Sequence, residues 1–175
     1  MSPADQRPAS ITPSDVDGWL AELGIEPLER VEREHVTSWD LRLDGRRRFD
    51  IRVTLILDPS LALISYVHYA PPISDLLRRS YRKLLRWNDE ILYAKFAVGD
   101  DERPVLMSEI PAAVVDRDEL GRTLARQLAI CDRYLDESAG WIWIGGRRPV
   151  PDDRVSRQIG LFTRYADQLG DLADA

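Results

Sequence analysis

Between residues 36 and 69 the chain alternates three times in succession. In EHVTSWDLRLD, Thr37, Trp39, Leu41 and Leu43 fall on one side, and Ser38, Asp40 and Arg42 on the other. RRRFDIRVTLILD sets Phe49, Ile51, Val53, Leu55 and Leu57 against Asp50, Arg52, Thr54 and Ile56. In LALISYVHY, Leu61, Leu63, Val67 and Tyr69 oppose Ile64, Tyr66 and His68. A period of two marks a β-strand whose two faces meet different surroundings. DG at 44–45 reads as a tight turn between the first two runs, and DPS at 58–60 as a second turn. Strands joined this closely pair antiparallel, because a parallel pair needs a long crossover. The middle of the chain is therefore an antiparallel meander, and the remaining segments must pack on it.

The flanking segments read as helices and one more strand pair. TPSDVDGWLAELG carries a cap at Thr12 or Ser14, Pro13 in the first turn, Asp15 and Asp17 at the positive end of the helix dipole, and Gly24 as a stop. Val16, Trp19, Leu20 and Leu23 form its apolar stripe. After PP at 71–72, Ser74 caps a long helix with Ile73, Leu76, Leu77, Tyr81, Leu84, Leu85, Asn88, Ile91 and Leu92 on one face. Arg78, Arg82 and Arg86 form a basic stripe on the other. AKFAV and VLMSEI, separated by the turn GDDERP, read as a hairpin. Asp116 or Asp118 caps a helix carrying Leu120, Leu124, Leu128, Cys131 and Leu135. In the tail, Val155, Ile159, Phe162, Ala166 and Leu169 step by four and three, the spacing of a helix seam. The expected fold is α+β, with about five antiparallel strands packed on helices in the order α-β-β-β-α-β-β-α, plus a C-terminal helix. The expected division is a flexible lead-in over 1–11, a domain over 12–140, and a linker and amphipathic helix over 141–175.

Charge narrows the function classes. The formal net charge is −6, which argues against a nucleic-acid partner. Of the 24 basic residues only Lys83 and Lys95 are lysines, a usage that points to a GC-rich bacterial genome. The one cysteine rules out an intrachain disulfide, and no apolar run reaches the roughly 20 residues of a membrane span. The expectation is a cytoplasmic protein with no membrane partner.

No stretch specifies a reaction. Asn88, Asp89 and Glu90 point in different directions on a helix and cannot share one ion. Asp100, Asp101 and Glu102 lack the alternate spacing and central glycine of a calcium loop. His35 and His68 have no further ligands at zinc spacing. Cys131 lies on an apolar stripe and reads as an inert buried thiol. GGRR at 145–148 reads as a hinge. The chain is expected to be no enzyme, with no catalytic residue, no metal and no cofactor.

The most informative feature is the second face of the sheet. Ile56, Ile64, Tyr66 and Ala97, with either Leu106 or Met107, are unusually apolar for a solvated surface. Trp141 and Trp143 follow nearby in sequence order. Three covers fit: the chain's own C-terminal helix, a second subunit, or a client peptide. The candidate partner-binding or interface residues are therefore Ile56, Ile64, Tyr66, Trp141, Trp143, Val155, Ile159 and Phe162. The partner is a protein or peptide, docked in a groove or added to a strand edge. Arg78, Arg82 and Arg86 supply electrostatic steering. The alternative is a structural or regulatory homodimer that uses the same face and tail only for self-association. A small-molecule site or an enzyme cleft between helix and sheet has the least support.

The element order, the long internal helix and the pattern N-x₆-KF-x-V-x₅-PVLMSEIP together resemble the YbjN family. Its fold is that of the type III secretion chaperones of the CesT and Tir-chaperone kind. The matching positions are Asn88 near the end of the long helix, Phe96 in the short strand, Asp100 and Asp101 in the turn, and EIP at 109–111. The resemblance covers roughly 14–140. It implies a non-catalytic, chaperone-like module that binds peptide or protein, commonly as a dimer.

Overall fold

The computed structural model describes residues 11–73, 78–143 and 153–172. Helix α1 (Pro13–Glu22) is followed by strands β1 (Glu29–Arg33), β2 (Val36–Leu43), β3 (Ile51–Asp58) and β4 (Ala62–His68). Helix α2 (Arg78–Glu90), the hairpin β5 (Lys95–Val98) and β6 (Pro104–Pro111), and helices α3 (Arg117–Arg133) and α4 (Leu135–Ile142) complete the central unit. The tail contributes α5 (Ile159–Arg164), α6 (Ala166–Leu169) and a 3₁₀ turn over Gly170–Leu172. The mixed α+β fold is as expected, but the sheet has six strands in the order β1-β2-β3-β4-β6-β5, all antiparallel.

The extra strand is β1. Its sequence ERVER is exposed except for a half-buried Val31, so it carries no alternating apolar signal. The turn joining it to β2 uses Glu34 at φ 40°, a conformation that usually calls for Gly or Asn.

One face of the sheet builds the core. Trp39, Leu41, Leu43, Val53, Leu55, Leu57, Leu63, Val67, Phe96 and Leu106 join Val16 and Leu20 of α1, Leu84 and Trp87 of α2, and Leu120, Leu124 and Leu128 of α3 in one cluster. Ile11, assigned to the lead-in by sequence, belongs to the same cluster at 6% exposure. On α2 the buried residues include Trp87, whereas Leu85 is 67% exposed, and Leu92, at 70%, lies beyond the helix end, so the apolar stripe is narrower and shorter than expected. The cap at Ser74 and the side chains of Leu76, Leu77 and Arg78 lie outside the described residues, as does GGRR at 145–148.

Polar groups are threaded through this core with partners. Gln127 of α3 accepts from the Ser65 hydroxyl at 2.6 Å and donates to the Ser65 carbonyl at 3.2 Å and to Ser108 Oγ at 3.2 Å. Ser65 and Ser108 face each other across β4 and β6, so one helix side chain clamps the two strands. Buried polar atoms are tolerated in a core only when satisfied in this way.

The DG turn is not a tight hairpin turn. Residues 44–50 form a loop between β2 and β3, and Phe49 lies in it, before the strand begins at Ile51. The backbone N–H groups of Arg46, Arg47 and Arg48 all donate to the buried carboxylate of Asp132, at the end of α3. A Cβ on Gly45 would overlap that carboxylate, so the glycine is required by close approach. Burial raises the Asp132 carboxyl above its ordinary value, against the pull of the three amides.

The tail docks on the helical side. Leu161, Phe162, Tyr165 and Leu169 are buried against α3, and the expected single helix is broken into two short ones. The stepping residues divide accordingly. Phe162 is 1% exposed within this chain's own core, while Val155 and Ile159 are 71% and 48% exposed. A polar latch holds the tail to the 44–50 loop. Arg157 donates Nε and a terminal nitrogen to the Asp44 carboxylate, both at 2.8 Å, and Gln158 accepts from the Asp44 backbone N–H at 2.6 Å. Burial pushes the Asp44 carboxyl up, but the Arg157 guanidinium and the amides of Asp50 and Arg157 outweigh it and hold the group down to about 2.

Candidate functional site

The second face of the sheet has no described helix on it. Ile56 pairs directly with Ile64, and Tyr66 with Met107. All four are half-buried, and none belongs to the core cluster or packs against it. Leu106 points the other way, into the core, so Met107 is the member of that pair on this face. Ala62 and Ala97 share the face, both half-buried. A solvated antiparallel face ordinarily alternates to polar residues. Here the central rows are apolar, and the charges sit around them.

Much of the rim is polar. Glu109 lies beyond Ile64, Lys95 beyond Met107, and Ser38 and Asp40 on β2 beyond Ile56 and Thr54. Thr54 Oγ1 lies 2.6 Å from Asp40 Oδ1 and 2.9 Å from His68 Nε2. The threonine hydroxyl donates to Asp40, so the His68 tautomer that completes the contact carries its proton on Nε2. Burial, followed by the nearby Arg52, lowers the His68 pKa from its ordinary value, which keeps the imidazole neutral at neutral pH. An apolar centre inside a polar rim is the anatomy of a protein interface.

Both strand edges are protected. β1 carries Glu29, Arg30, Glu32 and Arg33, which discourage pairing with another chain. β5 is four residues long, and Asn88 at the end of α2 bonds both the N–H of Phe96 (2.7 Å) and its carbonyl (3.1 Å). Lys95 Nζ in turn caps the last turn of α2, donating to the carbonyls of Asn88 at 2.6 Å and Ile91 at 2.9 Å. The N-x₆-KF pattern is therefore a structural joint between helix and strand.

The remaining candidate residues are dispersed. Trp141 does not extend the open face. It packs on the helical side, 5.6 Å from the Trp87 ring, in an aromatic group with Tyr134, Phe96 and Tyr69. Trp143 lies at the end of the sheet in a cleft with His68 and Arg52. Arg82 and Arg86 are exposed on α2, away from the open face. Described residues 153–172 do not cover the open face, so the self-covering arrangement named among the three covers is not the one found. Cys131 is fully buried, and burial pushes its thiol up to about 12. Among the described residues no group of three His, Cys, Asp or Glu side chains is arranged to hold a metal ion, and no helix is long and apolar enough to cross a membrane. Sequence reasoning missed the Asp44–Arg157 latch, the closure of the 44–50 loop on Asp132, and the gathering of Arg48, Arg52, Arg103 and His68 around one cleft.

No curated protein matches the chain. A family model, YbjN, described as "Putative bacterial sensory transduction regulator", matches residues 12–139. The match starts at Thr12, the N-cap of α1, and ends inside α4, so the docked tail lies beyond it. It takes in all six strands and the joint between Asn88 and Phe96, and on that extent the chain belongs to the YbjN family.

Proposed function

We propose that this protein is a non-catalytic regulatory module that binds a protein or peptide partner face-on, over Ile56, Ile64, Tyr66 and Met107. The observation that carries the reading is the open sheet face. Its central rows are apolar, its rim is polar, and no described helix covers it. Family membership supports a regulatory role. Burying the two isoleucines and the tyrosine against an apolar partner segment supplies the affinity, at roughly 25 cal/mol per Å² of apolar surface removed from water. The rim charges set register. Edge addition is the weaker mode, because Asn88 already holds both backbone groups of Phe96 on β5 and β1 is lined with charge. The chaperone-like part of the reading rests on the resemblance. Self-association through the same face is the competing use.

The test pairs peptide selection on the intact protein with the variants Ile56→Glu and Ile64→Glu. Both side chains lie outside the core cluster, so the variants should fold. Peptides selected on the wild type should lose binding to both variants and slow amide exchange in β3, β4 and β6. Peptides that bind the variants equally well, or that protect the α2 and α3 side, rule the reading out. A wild-type dimer in light scattering that becomes a monomer in Ile64→Glu would assign the face to self-association instead.

A further inference from the structure

At the end of the sheet where β3, β4 and β6 meet the 44–50 loop, a cleft of about 380 Å³ is lined by Arg48, Phe49, Arg52, His68, Arg103 and Trp143. Three guanidiniums converge here, and they are unequally neutralised. Arg103 is paired with Asp101 at 2.9 Å through Nε. Arg52 reaches Asp40 only at 3.4 Å. Arg48 is 8% exposed and pairs with no carboxylate among the described residues. One of its terminal nitrogens donates to the Tyr69 carbonyl, and the other is buried with no hydrogen-bond partner. The Tyr69 ring lies 5.0 Å from the guanidinium carbon, which offers a quadrupole and no full counter-charge.

An uncompensated buried guanidinium is costly, and a buried donor left unmade costs more than an exposed one. The one carboxylate on the cleft wall, Asp50, is already engaged. Arg154 and Arg157 of the tail each hold it at 3.0 Å. Arg52 and Arg103 both act on His68 electrostatically, opposed by their ion-pair partners Asp40 and Asp101, which lie outside the cleft lining. The cleft therefore presents one buried donor on Arg48 and two more exposed guanidiniums, with its own acid neutralised from behind.

We infer that this cleft is a binding site for a small oxyanion, a ligand bearing a phosphate or carboxylate group, held by Arg48, Arg52 and Arg103 beside His68. Guanidiniums suit such groups because their planar forks match two oxygens at once. The inference does not rest on the open-face reading and concerns a different ligand class, although the cleft borders that face at His68.

The test is calorimetric titration of the full-length protein with inorganic phosphate and, separately, with succinate, at constant pH and at an ionic strength held with chloride. Ring signals of the two histidines are followed by NMR over the same titrations. A saturable heat is expected with at least one anion, with a shift of the His68 ring signals and none at His35, which lies at the far β1–β2 turn. Phosphate saturating alone assigns the site to phosphate-bearing ligands, and succinate alone to carboxylates. Arg52→Ala and Arg103→Ala should each weaken binding about tenfold, the loss of one charge-assisted contact. Arg48→Met should weaken it further. Because that side chain is buried and its loss could unfold the loop, the two surface variants carry the decision. No saturation with either anion, equal movement of both histidines, or unchanged affinity in both Arg52→Ala and Arg103→Ala overturns the inference.

Discussion

The side-chain amide of Asn88 pairs with the backbone of Phe96 as a neighbouring strand would, accepting from its N–H at 2.7 Å and donating to its carbonyl at 3.1 Å. This contact ties the C-terminus of α2 to edge strand β5 and removes two backbone groups from the reach of other chains. Asn88→Ala leaves both groups without their partner and should cost about 1–3 kcal/mol. Urea unfolding measures the loss, and faster exchange of the Phe96 amide localises it. Unchanged exchange at Phe96 would mean that the contact does not form in solution.

Gln127 should behave asymmetrically. Gln127→Leu alone strands the Ser65 hydroxyl in the core, while Ser108 keeps its bond to the Tyr93 carbonyl at 2.9 Å, and should destabilise by about 2 kcal/mol. Combining it with Ser65→Ala and Ser108→Ala removes every side-chain member of the network and should recover most of that loss. A triple variant as unstable as the sum of its parts would show that volume, not hydrogen bonding, dominates at this position.

The Asp44–Arg157 latch predicts an acid transition. Asp44 ionises more readily in the folded protein than in the unfolded chain, so its contribution is fully present above the ordinary carboxyl value of 3.8 and is lost as pH falls towards about 2. A shift of that size corresponds to roughly 2 kcal/mol. Asp44→Asn should lower stability at neutral pH by a similar amount and flatten the profile between those limits. Acid unfolding curves that superimpose for wild type and variant would assign the transition to other carboxyls.

Gly121 and Tyr165 report on tail docking. A Cβ at Gly121 would lie 2.5 Å from the Tyr165 hydroxyl oxygen, so Gly121→Ala forces the ring out of its seat on α3. Overpacking of this kind typically costs about 1–3 kcal/mol. Limited proteolysis should then cut between 153 and 172 faster than in the wild type. Adding Gly121→Ala to Tyr165→Ala should have little further effect, since the clashing ring is gone.

Removing the tail from residue 153 onward should expose apolar surface on α3 and leave the open sheet face unchanged. Binding of an apolar-surface dye should rise, and the exchange rates of β3 and β4 amides should stay the same. Protection lost from the sheet face instead would place the tail there in solution.

What the sequence showed, it showed through periodicity. The alternation in β2, β3 and β4 and the hairpin of β5 and β6 follow from side chains that repeat every second residue, and the same pattern marked Ile56, Ile64 and Tyr66 as a second apolar face. β1 was illegible because its five residues form a charged edge and its turn borrows a positive φ from glutamate. DG at 44–45 was legible as a break in the chain. Its use as a loop closed on Asp132 was not, because the carboxylate that demands the glycine lies about ninety residues away along the chain.

By itself, then, the sequence determined the α+β class, most of the strands and the apolar character of both sheet faces, because local periodicity and turn chemistry act between neighbours. Only the tertiary structure decided which face the tail would leave open, that Phe162 belongs to the chain's own core and Trp141 packs against it, and that Arg48, Arg52, Arg103 and His68 gather at one end of the sheet. Those outcomes depend on contacts between distant segments, where burial and charge pairing choose among arrangements that the local pattern permits equally.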